Sequence, residues 1–123
     1  MADKKGTVLL VDDEAPIRAM AEEGLPLWGY EVITASTGEE ALEVYRQRAG
    51  EIDLVVLDLL MPGMGGKKCL EGILALDPGA KVLVTSGRLI EDEILRKASA
   101  HLMKPFFLKE LVDAIGGVLS AGP

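Results

Sequence analysis

The sequence contains few of the residue types on which several kinds of functional site depend. Cys69 is the single cysteine among 123 residues, which excludes an intramolecular disulfide and a cysteine-based metal site. Aromatic residues make up 4% of the chain, too few for a platform that stacks nucleic-acid bases. Acidic residues outnumber basic ones by 20 to 13, and the net charge of −7 repels phosphate backbones. We therefore expect no nucleic-acid partner.

Long apolar segments are also missing. No apolar run approaches the ~20 residues needed to cross a bilayer, and residues 1–6 lack the apolar core of a signal peptide. We expect a cytoplasmic protein without membrane insertion. Apolar residues still make up 49% of the chain, enough for a buried core. The expected organisation is one domain over residues 1–123, with an ordered core of about 6–120.

Short apolar runs alternate with amphipathic segments along the whole chain. Strands are predicted at 7–11, 31–35, 52–58, 81–86 and 100–103, and helices at 17–27, from a cap at Ser36 or Thr37 to Arg48, at 65–76, at 91–98 and at 108–119. Gly24 and Pro26 predict that the first helix frays or kinks near its end. Such alternation is typical of an α/β fold, a doubly wound three-layer sandwich in which helices cover both faces of a parallel sheet.

The third predicted strand carries the most unusual side chain. It is a continuous Leu/Val run, typical of a strand buried on both faces, that ends at Asp58 and breaks at Pro62 and Gly63. An unpartnered carboxylate is costly inside such a strand. We therefore expect Asp58 at the strand's end, where the sheet opens to water.

Four polar features follow predicted strands and should meet at one edge of the sheet. They are Asp12 with Asp13, Asp58, Ser86 and Lys104, and parallel sheets bind ligands at the carboxyl ends of their strands. Three carboxylates in one crevice repel each other unless a cation compensates them, and Mg²⁺ takes carboxylates, waters and phosphate oxygens as ligands. With a metal and Lys104 beside it, Asp58 becomes a plausible nucleophile towards phosphorus, forming an aspartyl phosphate.

Each of these features, taken alone, also has a simpler interpretation. Acids after a strand often cap the next helix, Lys104 and Pro105 could form an ordinary turn, and Asp58 could be a turn residue before Pro62. Their joint position at strand ends favours the chemical interpretation.

Four motifs, in order, resemble the receiver domain of two-component response regulators over nearly the whole chain. They are Val11–Glu14, Asp58–Gly66, Thr85–Gly87 and Lys104–Phe106. The resemblance implies a flavodoxin-like fold with strand order 2-1-3-4-5. It also implies a regulatory phosphoacceptor rather than an enzyme, in which Asp58 takes a phosphoryl group from the phosphohistidine of a sensor histidine kinase or a phosphotransfer domain.

The resemblance further implies the roles of individual residues. Asp13, Asp58 and the backbone carbonyl of Leu60 would hold Mg²⁺ or Mn²⁺, with Asp12 contributing through a water molecule. Lys104 would pair with the phosphoryl group. Ser86 would bond to that group once it is attached, and so act as a switch residue.

The sequence departs from the family pattern on one side of the domain. Ser86 and Lys104 are 18 positions apart (104 − 86), a few fewer than usual, which predicts a short or irregular fourth helix. His101 stands at the position of the family's switch aromatic. Its side chain would simply take the place of that aromatic ring. The less favoured alternative is that His101 makes the switch sensitive to pH. Leu60 and Arg88 occupy positions that tune dephosphorylation, and an apolar Leu60 predicts slow loss of phosphate.

Other functions remain open at this point. A degenerate receiver could act as a phosphorylation-independent interaction scaffold. A flavin carrier of the same fold is disfavoured, because its phosphate loop would not carry the acids of residues 12–14. The domain could stand alone or belong to a hybrid histidine kinase, its downstream partner is an unknown protein, and a homodimer could form through the fourth helix and fifth strand.

Overall fold

A computed structural model describes residues 4–121 of the chain. Five strands alternate with five α-helices. The strands are β1 (Gly6–Val11), β2 (Tyr30–Ala35), β3 (Leu54–Asp58), β4 (Val82–Ser86) and β5 (Ala100–Met103). The helices are α1 (Ala15–Gly24), α2 (Gly38–Arg48), α3 (Gly65–Leu76), α4 (Asp92–Lys97) and α5 (Leu108–Ser120). Residues 1–3 and 122–123 of the predicted single domain lie outside the described residues.

All five strands are parallel and form one sheet in the order β2-β1-β3-β4-β5. The predicted fold class and strand order are therefore confirmed. The three central strands are buried along their whole length, as their unbroken apolar sequences predict. The register pairs Asp58 with Thr85 and Ser86 with Met103, so the last residues of neighbouring strands lie side by side.

The sheet separates two apolar clusters. On one face, α2, α3 and α4 cover a cluster that includes Tyr45, Ile73 and Ile94. On the other face, α1 and α5 cover a cluster that includes Ala21 and Ile115. The three-layer arrangement follows from side-chain alternation along each strand, which sends successive apolar residues to opposite faces.

The helix ends follow the local sequence. Helix α1 has a proline in its first turn and ends at Gly24, where a 3-10 helix (Leu25–Trp28) replaces it, which confirms the predicted break. Thr37 caps α2 by accepting a hydrogen bond from the Glu40 backbone amide at 3.0 Å, while the Glu40 carboxylate accepts one from the Ser36 amide at 2.7 Å. This reciprocal arrangement satisfies donors at the start of the helix that would otherwise be unpaired.

The fourth helix is short, as the spacing of Ser86 and Lys104 predicts. Helix α4 has six residues, and Ile94 is the residue that it buries. Strand β5 next to it alternates partly buried and exposed residues, whereas β1, β3 and β4 are buried throughout. Among residues 4–121, no helix is long and apolar enough to cross a membrane.

Candidate functional site

The carboxyl ends of β1, β3, β4 and β5 bring the predicted site residues together. Asp58 is the last residue of β3 and Ser86 the last of β4. The hydrogen bonds between these strands continue one residue beyond Asp58, because the Leu59 amide donates to the Thr85 carbonyl at 3.0 Å. Lys104 follows β5, and its amide donates to the Ser86 carbonyl at 2.8 Å. Backbone hydrogen bonds of the sheet thus fix where each of these side chains begins.

Lys104 lies at the centre of the site and contacts three carboxylates. Its Nζ is 2.6 Å from Glu14 Oε2, 3.0 Å from Asp12 Oδ2 and 3.2 Å from Asp58 Oδ2. Burial lowers the pKa of the Lys104 ammonium, but its bonds to Glu14 and Asp12 and the charge of Asp58 outweigh that effect and raise the pKa. Lys104 therefore stays charged at neutral pH and is a permanent cation in the site.

Asp58 lies at the end of its strand as predicted, but the expectation that it faces open water is wrong. Its side chain is 3% exposed and lies 3.2 Å from Lys104 Nζ. Its pKa is raised to about 6, chiefly by burial and also by the charge of Asp12, while the hydrogen bond from the Leu60 amide and the charge of Lys104 oppose the rise. The Leu60 amide donates to Asp58 Oδ1 at 3.1 Å, which orients the carboxylate so that Oδ2 lies towards Lys104.

Asp12 is the second buried carboxylate. It is 2% exposed, and burial raises its pKa, against hydrogen bonds from the Glu14 amide and Lys104. The Glu14 amide donates to Asp12 Oδ1 at 2.9 Å, and Arg18 of α1 donates from Nη1 to the Asp12 carbonyl at 2.9 Å. Both the side chain and the backbone of Asp12 are therefore held in place from the first turn of α1.

The two predicted switch residues differ in their surroundings. Ser86 is 3% exposed, and its hydroxyl accepts a hydrogen bond from the Arg88 amide at 3.0 Å. This bond turns the hydroxyl towards the loop after β4. His101 lies exposed on β5, so its side chain is at the surface of the domain, and its role as a switch residue stays a prediction.

The donor set fits a hard divalent cation. Carboxylate oxygens of Asp12, Glu14 and Asp58 all lie within 4.8 Å of one another among the described residues. Three carboxylates face one ammonium, so the pocket retains negative charge, and oxygen ligands are those that Mg²⁺ and Mn²⁺ prefer. Asp13 is exposed beside this group and does not belong to it.

A cleft of about 310 Å³ opens beside Ser86, between the loops that follow β3 and β4. Its walls include Leu60, Lys67, Ser86, Arg88 and Leu89. Leu60 is 51% exposed, so an apolar side chain lies on the wall of the cleft two residues after Asp58.

Gly66 is needed for the loop that carries Leu59 and Leu60. Its amide donates to the Leu59 carbonyl at 3.2 Å, and a Cβ at this position would overlap Leu59 Cα and the Asp58 carbonyl oxygen. Because both obstacles are backbone atoms, a larger residue could be accommodated only by moving the loop. The close approach fixes the start of α3 directly behind Asp58.

Sequence reasoning did not assign roles to Glu14 or Arg18, which complete the site. Glu14 reaches Lys104 across 90 positions of sequence, and Arg18 reaches back to the end of β1. Arg18 follows Asp12 by six positions and lies in the first turn of α1, and this short separation was a usable signal. No local pattern indicates the contact between Glu14 and Lys104.

Comparisons with known proteins agree with this geometry. The family pattern of the response regulator receiver domain matches residues 8–116. The chain is 38% identical over 118 residues to the sensor kinase CckA of Brucella abortus, covering 92% of this chain and 12% of that protein. It is 34% identical over 116 residues to the chemotaxis protein CheY of Thermotoga maritima, covering 90% of this chain and 95% of that one.

A solved structure gives the same result in three dimensions. CheY in the CheX–CheY–BeF3–Mg²⁺ complex of Borrelia burgdorferi superposes with a TM-score of 0.85 and 29% identity, covering 94% of this chain and 90% of that one. The lengths of the relatives differ widely, since the chain spans 12% of the kinase and about half of a probable transcriptional regulator of Pyropia yezoensis. The family match over residues 8–116, the strand order and the acidic pocket around Lys104 agree: the chain belongs to the response regulator receiver domain family.

Proposed function

We propose that Asp58 is the phosphoacceptor of this receiver domain. Receivers are regulatory phosphoacceptors of two-component signalling, and the observation that carries the assignment is the contact between Asp58 and Lys104, at 3.2 Å. An Asp58 oxygen would attack the phosphorus of a phosphohistidine. The bond from phosphorus to the imidazole nitrogen breaks, and the nitrogen keeps the electron pair while the phosphoryl group becomes bound to Asp58.

The neighbouring side chains would assist this transfer by position and charge. Lys104 would neutralise charge that builds up on the phosphoryl oxygens. The Leu60 amide would hold Asp58 by Oδ1, which leaves Oδ2, the oxygen next to Lys104, to attack phosphorus. Receivers bind Mg²⁺ at an acidic pocket. Here the proposed ligands are Asp58, the Leu60 carbonyl and Asp13, whose exposed side chain would turn towards the group of Asp12, Glu14 and Asp58 when the cation binds, with Asp12 acting through water. The metal, when bound, supplies further positive charge against the phosphoryl oxygens.

The switch would follow from the change of charge at Asp58. A bound phosphoryl group adds acceptor oxygens next to Ser86, and we propose that the Ser86 hydroxyl leaves its bond with the Arg88 amide to donate to them. The loop from Ser86 to α4 would move with it, and His101 on the neighbouring strand would change its surroundings. Such a change shifts an existing equilibrium between two conformations.

The proposed partners are of two kinds. A sensor histidine kinase or phosphotransfer domain would deliver the phosphoryl group at the cleft beside Leu60. An unknown downstream protein, or a second copy of the chain, would bind at α4 and β5, where Leu95 and Met103 are 37% and 43% exposed. The similarity to CckA is compatible with a hybrid kinase as the parent protein, and the similarity to CheY with a stand-alone regulator.

The test is phosphorylation by a small donor. The protein is incubated with acetyl phosphate and Mg²⁺, and its intact mass is measured beside that of Asp58→Asn. We expect the mass increase of one phosphoryl group in the wild type, and none in the variant or when EDTA replaces Mg²⁺. An unmodified wild type would instead favour the phosphorylation-independent scaffold.

A further inference from the structure

Glu14 makes a contact that its place in the fold does not require. It is the N-cap residue of α1, yet its side chain makes no capping hydrogen bond. Instead the carboxylate lies 2.6 Å from Lys104 Nζ, which is nearer than either buried carboxylate of the pocket. Short side chains such as those of Ser, Thr, Asp and Asn cap helices at this position, whereas the longer side chain of Glu14 extends past the first turn to Lys104.

The hydrogen-bonding capacity of Lys104 makes this contact consequential. An ammonium group has three N–H donors and no acceptor, and Lys104 faces three carboxylates, those of Asp12, Glu14 and Asp58. All three carboxylates lie close enough to share these donors. Phosphorylation turns the Asp58 carboxylate into an acyl phosphate, so the phosphoryl oxygens take over its contact with Lys104. Because the phosphoryl group carries more negative charge than the carboxylate it replaces, it also repels Asp12 and Glu14, the two carboxylates that remain at Lys104.

Burial decides which of the two remaining carboxylates gives way. The side chain of Asp12 is 3% exposed, whereas that of Glu14 is 55% exposed. A buried carboxylate that loses its cation cannot recover the loss from water, while an exposed one is solvated at once. Glu14 is the partner whose departure has the smallest free-energy penalty.

We propose that Glu14 is a positioning residue that holds Lys104 in the unphosphorylated protein and yields it to the phosphoryl group. The inference rests on the proposed function of Asp58 as phosphoacceptor. In the resting state Glu14 draws the ammonium towards the rim of the pocket. In the phosphorylated state the Glu14 carboxylate turns into solvent, and the phosphoryl oxygens take its place at Lys104.

The proposal predicts two effects of opposite sign for Glu14→Gln. Beryllofluoride, which stands in for the phosphoryl group on Asp58, should bind more tightly at saturating Mg²⁺, because it no longer competes with Glu14 for Lys104. Mg²⁺ alone should bind more weakly, because Lys104 is left to Asp12 and Asp58, whose oxygens the cation needs. Each change should be about two- to fivefold, the weight of a partly exposed ion pair.

Two variants separate contact from charge. Glu14→Asp keeps the negative charge but shortens the side chain by one methylene, so it should lose the contact and bind beryllofluoride as Glu14→Gln does. Glu23→Gln removes one charge from an exposed position of α1 and should leave both affinities unchanged.

Isothermal titration with Mg²⁺, and then with beryllofluoride at saturating Mg²⁺, gives both affinities on each protein. Tighter beryllofluoride binding with weaker Mg²⁺ binding in Glu14→Gln supports the proposal, since a general loss of structure would weaken both. Unchanged or weaker beryllofluoride binding in Glu14→Gln, or a Glu14→Asp variant that behaves as wild type, overturns it. A wild-type protein that binds no beryllofluoride overturns the proposed function as well, so the two failures are distinguishable.

Discussion

The acidic pocket and the β4–α4–β5 side of the domain are neighbours in space, but they are built differently. The pocket residues Asp12, Asp58 and Ser86 are all at most 3% exposed and start from strands whose register is fixed on both sides. On the other side, α4 buries Ile94 and exposes much of its remaining surface, and β5 is an edge strand with exposed residues.

Under the proposed function, this difference would let one small domain combine fixed chemistry with a mobile response. Phosphoryl transfer would depend on atoms held within hydrogen-bonding distance before the donor arrives, and the central strands hold the pocket residues in that way. A conformational response needs an element that can move at low free energy, and elements with few buried apolar contacts open most easily. Helix α4 has that character because it is short and has one buried anchor.

The largest expected effect is on stability, when one buried isoleucine is removed from α3 and, for comparison, one from α4. Ile73→Ala in α3 removes a fully buried side chain and should lower the free energy of unfolding by about 4 kcal/mol. Ile94→Ala in α4, where the side chain is 6% exposed, should lower it by about 1 to 2 kcal/mol, since α4 can unfold locally and limit the loss. Urea denaturation of both variants gives the two values.

Amide hydrogen exchange provides the control for that pair. Amides of α4 in the wild type should exchange through local opening, whereas those of α3 should exchange only when the whole domain unfolds. If both substitutions lower the free energy of unfolding equally, and the amides of α3 and α4 are equally protected from exchange, then α4 is not the less stable part of the domain.

A second prediction concerns the electrostatic strain of the pocket. Because burial raises the pKa of Asp58 from 3.8 to about 6, its protonated form is favoured in the folded state. The contribution of protonated Asp58 to the free energy of unfolding is fully present below pH 3.8, and it is lost as the pH rises through about 6. Asp58→Asn should therefore stabilise the metal-free protein by about 2 to 3 kcal/mol near pH 8 and by about 1 kcal/mol near pH 4.5.

The measurement is urea denaturation in EDTA at both pH values. Lys104 keeps Asp12 and Glu14 as partners in the variant, so the substitution leaves no unpaired buried cation. A variant that is less stable than the wild type near pH 8 would mean that Lys104 more than compensates for the burial of Asp58.

The smallest expected effect is on the rate of phosphate loss. Leu60 lies two residues after Asp58 on the wall of the cleft beside Ser86, and its apolar side chain gives an attacking water molecule no hydrogen-bond partner. Leu60→Asn should accelerate loss of phosphate from Asp58 about tenfold, or about 1.4 kcal/mol of activation free energy. Release of inorganic phosphate after acetyl phosphate is removed measures the rate.

Leu89→Asn is the matched control for Leu60→Asn. Leu89 lines the same cleft and is 95% exposed, but it belongs to the loop after β4 rather than to the one after Asp58. We expect Leu89→Asn to lose phosphate at the same rate as the wild type. Equal acceleration in both variants would mean that cleft polarity in general, and not the position next to Asp58, controls the entry of water.

Much of the fold followed from local sequence. The unbroken apolar runs of β1, β3 and β4 indicated strands buried on both faces, and the alternation with amphipathic segments indicated a parallel sheet. The early end of α1 followed from Gly24 and Pro26, and the short α4 from the spacing of Ser86 and Lys104. These features depend on nearby residues, which is why pattern alone could predict them.

The surroundings of the site residues could not be predicted in the same way. Sequence placed Asp58 and Lys104 beside each other at strand ends, but it placed Asp58 where the sheet opens to water and did not show that its side chain is almost fully buried. It also did not show that Glu14 is the nearest carboxylate to Lys104. Burial depends on which neighbouring elements cover a side chain, and that is a property of distant parts of the chain.

The sequence by itself determined the order of the elements and which side chains end the strands, because apolar periodicity and turn residues act within a few positions. The tertiary structure alone decided that Asp12, Glu14 and Asp58 share one ammonium group, since Lys104 reaches Glu14 across 90 residues. It also decided the electrostatics, because the pKa of a carboxylate depends on the water it loses and the charges it meets. Both quantities exist only once β1, β3 and β5 lie in one sheet.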